Sequence, residues 1–193
     1  TNDPIALFKN WFADAEAAEA KDPNAMTVAT ADTAGRPSAR VLLLKDVDEQ
    51  GFVFYTNFES RKGGELTVNP FAALCFHWKT LARQVRVEGP IVKVTDVEAD
   101  AYFASRARLS QTGAWASQQS KPLASRDALL TSVRKFESEY ENREIPRPPY
   151  WTGARVMPLR IEFWQDAEFR LHDRFVFARA SEGQEWTVTR LNP

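Results

Sequence analysis

Apolar residues recur at helical spacing near the start of the chain: Ile5, Phe8, Trp11, Phe12 and Ala15 fall on one face, with polar residues between them. Asp3 can cap such a helix and Pro4 suits its first turn, so residues 1–20 are expected to form an amphipathic helix. After a turn-like stretch from Lys21 to Asn24 the period shortens. Met26–Ala31, Ala39–Lys45, Phe52–Asn57, Phe71–Trp78 and Arg83–Val94 are short runs rich in β-branched and aromatic residues. Turn chemistry at Asp32 to Gly35 and Asp48 to Gly51 separates them, as in an antiparallel meander.

Helical segments interrupt the strands. Ser60 to Asn69 reads as a short helix capped by Ser60 and stopped by Pro70. Thr95 and Glu98 form a capping-box pattern that opens a helix through Tyr102 and Phe103. A third helix is expected from Ser125, with Leu129, Leu130, Val133, Phe136 and Tyr140 as its buried stripe. The Pro-rich link Ile145 to Pro149 then leads to strands at Arg155–Trp164, Arg174–Arg179 and Glu185–Leu191. The expected arrangement is one domain over residues 1–193, with a helical insertion at 95–140 and C-terminal strands at 154–193. Because helices are inserted between strands without alternating with them, the expected fold class is mainly β with peripheral helices (α+β), an antiparallel barrel or sandwich.

Composition narrows the function classes. The 193 residues are 44% hydrophobic and 26% charged, which suits a packed core. A formal net charge of -1 provides no global field for nucleic acid or an anionic membrane, so basic clusters must serve local purposes. Cys75 is the single cysteine, which excludes an intramolecular disulfide and suits a reducing compartment. No apolar run is long enough for a membrane span and the N-terminus lacks a secretory pattern, so a soluble, cytoplasmic protein is expected. GxGxxG and GxxxxGK(S/T) are both absent, which excludes Rossmann and P-loop nucleotide binding. His77 sits in an apolar run far from His172, and no metal-ligand spacing exists.

Four clusters could carry chemistry. Ser60-Arg61-Lys62-Gly63-Gly64 places two cations and a hydroxyl at an expected helix start, where cations oppose the helix dipole unless an anion sits among them; a solvated helix end is the alternative. Arg40 and Lys45 bracket an apolar strand, and period-two geometry puts them on opposite faces, so they suit two different anions or two solvated strand ends. Tyr102, Arg106 and Ser110 are four apart and would form one phosphate-binding stripe on a continuous helix; a capped helix end with a surface Arg is the alternative. Arg170, His172 and Arg174 alternate, and on an extended backbone they would share one basic face, either a ligand contact or a charged edge.

These clusters also carry a family resemblance. Ile161-Glu-Phe-Trp-Gln165 followed by Arg170-Leu-His-Asp-Arg174 resembles the C-terminal signature of pyridoxamine/pyridoxine 5′-phosphate oxidases. RVLLLK (Arg40 to Lys45), FYTN (Phe54 to Asn57), SRK (Ser60 to Lys62), RQV (Arg83 to Val85), YFASR (Tyr102 to Arg106), GAWAS (Gly113 to Ser117) and QQS (Gln118 to Ser120) extend it over nearly the whole chain. The resemblance implies a homodimeric split β-barrel with FMN in clefts between subunits. It implies FMN contacts from Arg40, Val41, Leu43, Lys45, Tyr55, Thr56, Ser60, Arg61, Lys62, Gln84, Gln119, Ser120, Trp164 and Arg174. It assigns the substrate phosphate to Lys45, Tyr102, Arg106 and Ser110, and the substrate ring to Arg170 and His172, the catalytic pair.

The implied activity is oxidation of pyridoxamine or pyridoxine 5′-phosphate to pyridoxal 5′-phosphate, with O2 as acceptor and H2O2 released. Alternatives are an FMN oxidase of the phenazine-biosynthesis type or a flavin- or pyridoxal-phosphate-binding protein without turnover. One stretch departs from the family pattern. Where SRPRDS is usual the chain has Ser105-Arg106-Ala107-Arg108-Leu109-Ser110, and Thr112 replaces a branched aliphatic residue. Loss of the proline frees a φ angle and Arg108 loses a carboxylate partner, so a less ordered corner is expected there.

Overall fold

The computed structural model describes residues 2–193. Helix α1 spans Pro4–Ala18, and Oδ1 of Asp3 accepts from the backbone N–H groups of Ile5 at 2.8 Å and Ala6 at 3.1 Å, as the cap pattern requires. Strands β1 (Ala25–Ala31), β2 (Pro37–Leu43), β3 (Asp46–Asp48) and β4 (Gly51–Asn57) follow, then α2 (Arg61–Val68), β5 (Phe71–Trp78) and β6 (Arg83–Lys93). Helices α3 (Asp96–Ser105), α4 (Arg108–Ala116) and α5 (Arg126–Glu139) precede β7 (Trp151–Val156), β8 (Arg160–Gln165), β9 (Asp173–Ala178) and β10 (Thr187–Arg190).

All strand pairs are antiparallel, in the order β10-β9-β8-β6-β5-β1-β2, and a second arm β3-β4-β7 joins the sheet through β6. The junction is a bend in the long β6. Its first part, Arg83–Glu88, pairs with β8, whereas Ile91–Lys93 pairs with β7. Gly89 makes the bend possible, since a Cβ there would lie 2.0 Å from the carbonyl oxygen of Met157. The chain running from β2 into β3 returns the second arm to the first, and Lys45 N–H donates to the Val53 carbonyl at 2.9 Å across that return. The result is a curled, split barrel.

The barrel is filled by aromatic rings. Phe8 of α1 meets Phe52 at 4.8 Å and Phe76 at 5.0 Å, both edge-on, and Trp11 meets Phe163 at 5.2 Å. The helical stripe read from sequence is therefore the plug of the barrel.

Four expectations need correction. The run Arg155–Trp164 is two strands, because Met157-Pro158-Leu159 breaks it and sends β7 and β8 to different arms. The α5 stripe holds no buried residue, since α5 lies outside the barrel, with Phe136 and Tyr140 against Trp115 of α4 at 5.8 and 6.1 Å. The helix carrying Tyr102 stops at Ser105, so Tyr102, Arg106 and Ser110 do not form one stripe; Arg106 is extended (φ -74°, ψ 149°) and Ser110 belongs to α4. Arg170 and His172 are not on a continuous strand with Arg174, because Phe169 and Arg170 adopt left-handed φ values of 56° and 63° in a 3-10 turn before β9 begins.

Candidate active site

The end of β2, the middle of β4 and the corner between α3 and α4 enclose a cavity of about 620 Å³. Leu43, Lys45, Tyr55, Thr56, Tyr102, Arg106, Ser110 and Gln119 line it, so eight of the expected site residues converge here from distant parts of the chain. Trp151, the first residue of β7, adds a wall that the sequence reading did not single out. Tyr55 stacks on Tyr102 at 3.9 Å and on Trp151 at 5.2 Å, forming an aromatic side to the cavity.

Against this wall stands a cation with unused capacity. The Arg106 guanidinium lies 4.8 Å from the Trp151 ring centroid, and its Nη1 is buried without a hydrogen-bond partner among the described residues. Burial pulls the Arg106 pKa below its ordinary value, with the neighbouring Tyr102 acting in the opposite sense. A buried guanidinium nitrogen left unpaired is costly, and an anionic oxygen in the cavity would relieve it. Arg108, expected to lose its partner, instead donates to the carbonyls of Tyr140 and, at 3.0 Å, Arg143.

A second anion-ready set lies at the start of α2. Ser60 caps the helix through the Gly63 N–H at 3.3 Å, and Lys62 Nζ donates to Ser60 Oγ at 3.2 Å and to Gln119 Oε1 at 2.9 Å. Lys62 is only 5% exposed, and burial, followed by repulsion from Arg40, lowers its pKa to about 8. Arg40 and Arg61 share one carboxylate, Glu65, at 3.5 and 2.9 Å. Burial favours the neutral form of Glu65, but hydrogen bonds from Ser38, Thr30 and Arg61 and the Arg61 charge outweigh it and hold its pKa at about 2. Two arginines on one carboxylate, with buried Lys62 and the first helix N–H groups beside them, match the chemistry of a bound phosphate monoester. Val41, 65% exposed, faces away from Arg40, and Lys45 lies beyond the end of β2, where it lines the cavity that Arg40 does not reach.

A third group stands elsewhere. Gln84, Trp164 and Arg174 are register partners across β6, β8 and β9, on the outer sheet face. Arg174 Nε donates to Oε1 of Glu162 at 2.9 Å, and its Nη2 lies 2.8 Å from the same oxygen in an ion pair. Glu162 is 2% exposed and its pKa is lowered despite burial, through its contacts with Arg86 and Arg174. The His172 ring is 4.7 Å from that of Trp164, and its Nδ1 is 2.9 Å from Asp166 Oδ1. Arg170 is exposed at the left-handed turn, and Ser120 (φ 71°) follows Gln119 on the surface. None of Gln84, Ser120, Trp164, Arg170, His172 and Arg174 lines the cavity. Among the described residues no group of three or more His, Cys, Asp or Glu could hold a metal ion, and no helix is long and apolar enough to cross a membrane.

Comparison with known proteins decides the family. A sequence model described as "Pyridoxamine 5'-phosphate oxidase" matches residues 12–140, and one described as "Pyridoxine 5'-phosphate oxidase C-terminal dimerisation region" matches residues 151–193. The chain belongs to the pyridoxamine 5′-phosphate oxidase family. Relatives named pyridoxine/pyridoxamine 5′-phosphate oxidase agree: that of Azorhizobium caulinodans is 58% identical over 192 residues, covering 100% of this chain and 91% of the relative. That of Maricaulis maris is also 58% identical, covering 100% of this chain and 86% of the relative. Among solved structures, PhzG from Burkholderia lata 383, in complex with tetrahydrophenazine-1-carboxylic acid, superposes with a TM-score of 0.93 at 34% identity, covering 100% of this chain and 94% of that one. A pyridoxamine 5′-phosphate oxidase-related, FMN-binding protein from Nostoc punctiforme shares the fold, with a TM-score of 0.76 at 17% identity over 96% of this chain and 97% of that one.

In this family frame the antiparallel split barrel expected from the resemblance is the architecture observed. Trp164, Arg170, His172 and Arg174 lie in the segment matched by the dimerisation region, whereas Gln84 on the neighbouring strand and Ser120 lie outside it.

Proposed function

We propose that this protein is an FMN-dependent oxidase that converts pyridoxamine or pyridoxine 5′-phosphate to pyridoxal 5′-phosphate, consuming O2 and releasing H2O2. The observation that carries the proposal is the presence of two separate anion-ready sets: Arg106, with its unpaired Nη1, lines the aromatic-walled cavity, and buried Lys62 stands outside the lining, bonded to the lining residue Gln119. Two phosphate-bearing ring compounds need two such places. The Lys62 set, with Arg40, Ser60, Arg61, Gln119 and Ser120, suits the FMN phosphate. Lys45, Tyr102, Arg106 and Ser110 suit the phosphate of the substrate.

FMN supplies the two-electron redox chemistry when bound. The protein's share is orientation. Val41, Leu43, Tyr55 and Thr56 border the ring position, and a second copy of the chain supplies Gln84, Trp164 and Arg174 from its outer sheet face. Arg170 and His172 of that second copy cover the substrate ring and hold its reacting carbon in place. With the amine substrate, hydrolysis of the oxidised carbon–nitrogen bond yields aldehyde and ammonia. A homodimer is therefore required, and its single cysteine suits it to the cytoplasm.

A second reading keeps FMN and changes the substrate, supported by the 0.93 superposition on PhzG and by Ala107 and Leu109 beside the cavity. The Arg106 set speaks for a phosphorylated substrate instead. Oxygen uptake by purified, FMN-loaded protein separates these readings: uptake and peroxide are expected with either B6 phosphate and not with unphosphorylated pyridoxamine. No uptake with either phosphate, from protein that holds flavin, would overturn the proposal.

A further inference from the structure

Arg106 and Ser110 reach the cavity from either side of a corner between two helices, and Ala107, the N-cap of α4, provides no side-chain hydrogen bond to fix it. The corner is held by side chains that do not line the cavity. Gln111, 8% exposed, donates through Nε2 to the carbonyls of Phe103 at 2.9 Å and Ala104 at 3.2 Å. These are final carbonyls of α3, which lack partners within the helix. The Phe103 carbonyl also accepts the backbone N–H of Arg106 at 3.2 Å. One oxygen therefore fastens Arg106 from its own backbone and from the side chain that follows Ser110. Arg108 completes the clamp by tying the first turn of α4 to the Tyr140 and Arg143 carbonyls at the end of α5.

We propose that Gln111, assisted by Arg108, is a positioning residue that sets the Arg106 guanidinium relative to the Ser110 hydroxyl and thereby tunes affinity for a phosphate monoester in the cavity. The inference rests on the substrate reading above and names what replaces the missing proline of the corner. Misplacement of a binding group by a fraction of an ångström is enough to weaken a charge-assisted contact, so the clamp acts on binding and leaves the redox step alone.

The test uses FMN-loaded Gln111→Met, which keeps volume and removes the donor, and Arg108→Ala at an exposed position where no cavity results. Pyridoxal 5′-phosphate affinity is read from the flavin absorbance change, beside FMN affinity, KM and kcat. For Gln111→Met the dissociation constant and the KM for pyridoxamine 5′-phosphate are expected to rise about threefold to tenfold, the worth of a hydrogen bond or so. The kcat stays within about twofold and FMN affinity is unchanged. Arg108→Ala moves the same quantities in the same direction, and carries the test if Gln111→Met does not fold.

Unchanged pyridoxal 5′-phosphate affinity in the folded variants would overturn the inference, and so would an equal loss of FMN affinity, which marks general loosening. Unaltered protein that binds pyridoxal 5′-phosphate without turnover would sink the oxidase reading and leave the positioning role standing. Unaltered protein that does not bind it would sink both.

Discussion

Lys62 Nζ lies 2.9 Å from Oε1 of Gln119, joining the first turn of α2 to the segment beyond α4 across 57 positions of sequence. With its pKa lowered to about 8 by burial and by Arg40, Lys62 is charged at neutral pH at a cost to the folded state. The unfolded chain holds this proton more tightly, so the group's contribution to stability without FMN improves as pH rises from about 8 towards 10.5.

A phosphate dianion beside Lys62 reverses that balance by favouring the ammonium. FMN binding should then take up a proton above pH 8, and its dissociation constant should rise with pH, approaching about tenfold per unit well above the Lys62 pKa. Flavin fluorescence titrations between pH 7 and pH 9.5 measure this, and Lys62→Met should both weaken FMN binding and flatten the profile. A flat profile in the unaltered protein contradicts the assignment.

Arg106 should matter to substrate and not to FMN. Removing its guanidinium, with the buried and unpaired Nη1, in Arg106→Ala is expected to raise KM for pyridoxamine 5′-phosphate about tenfold to hundredfold, the range for a hydrogen bond to a charged group. The FMN content should be that of the unaltered protein. Loss of flavin with KM unmoved would exchange the two anion assignments.

Arg170 is exposed at a left-handed turn, which is strain of the kind found at functional sites. Arg170→Ala should lower turnover while the protein stays yellow. An unchanged steady-state rate removes Arg170 from the site.

The bend of β6 predicts a stability difference between two glycines. Gly89→Ala places a methyl group against a backbone carbonyl and should cost about 3 kcal/mol or more, read from the midpoint of urea unfolding. Gly35, with φ +74° but open space around it, should cost only about 1 kcal/mol when changed to alanine. Equal midpoints for the two variants would show that β6 bends elsewhere.

The β runs and the α1 stripe were legible because burial on one face imposes a period, and the caps at Asp3, Ser60 and Thr95 state helix starts locally. Helix interruption at Arg106 was not, since residues four apart fit a continuous helix and Ala107 and Leu109 bear no turn signal. Period also fails to say what covers a stripe: that of α5 meets Trp115 of α4 and is at most half-buried. The basic residues of the site could be found from charge clustering, but Trp151 and Glu162 could not. Trp151 acquires its role only when β4 and β7 pair, and Glu162 only when β6 and β9 flank β8.

The claim that one site is built from two copies of the chain can be met head-on by co-expressing Arg106→Ala and Arg170→Ala proteins, each defective alone. In a twofold dimer the mixed species carries one site with both residues intact, so about a quarter of unaltered oxidase activity should return with statistical pairing. Mixed dimers, isolated and confirmed, that are no more active than either parent would show that Arg106 and Arg170 do not serve the same site from different subunits.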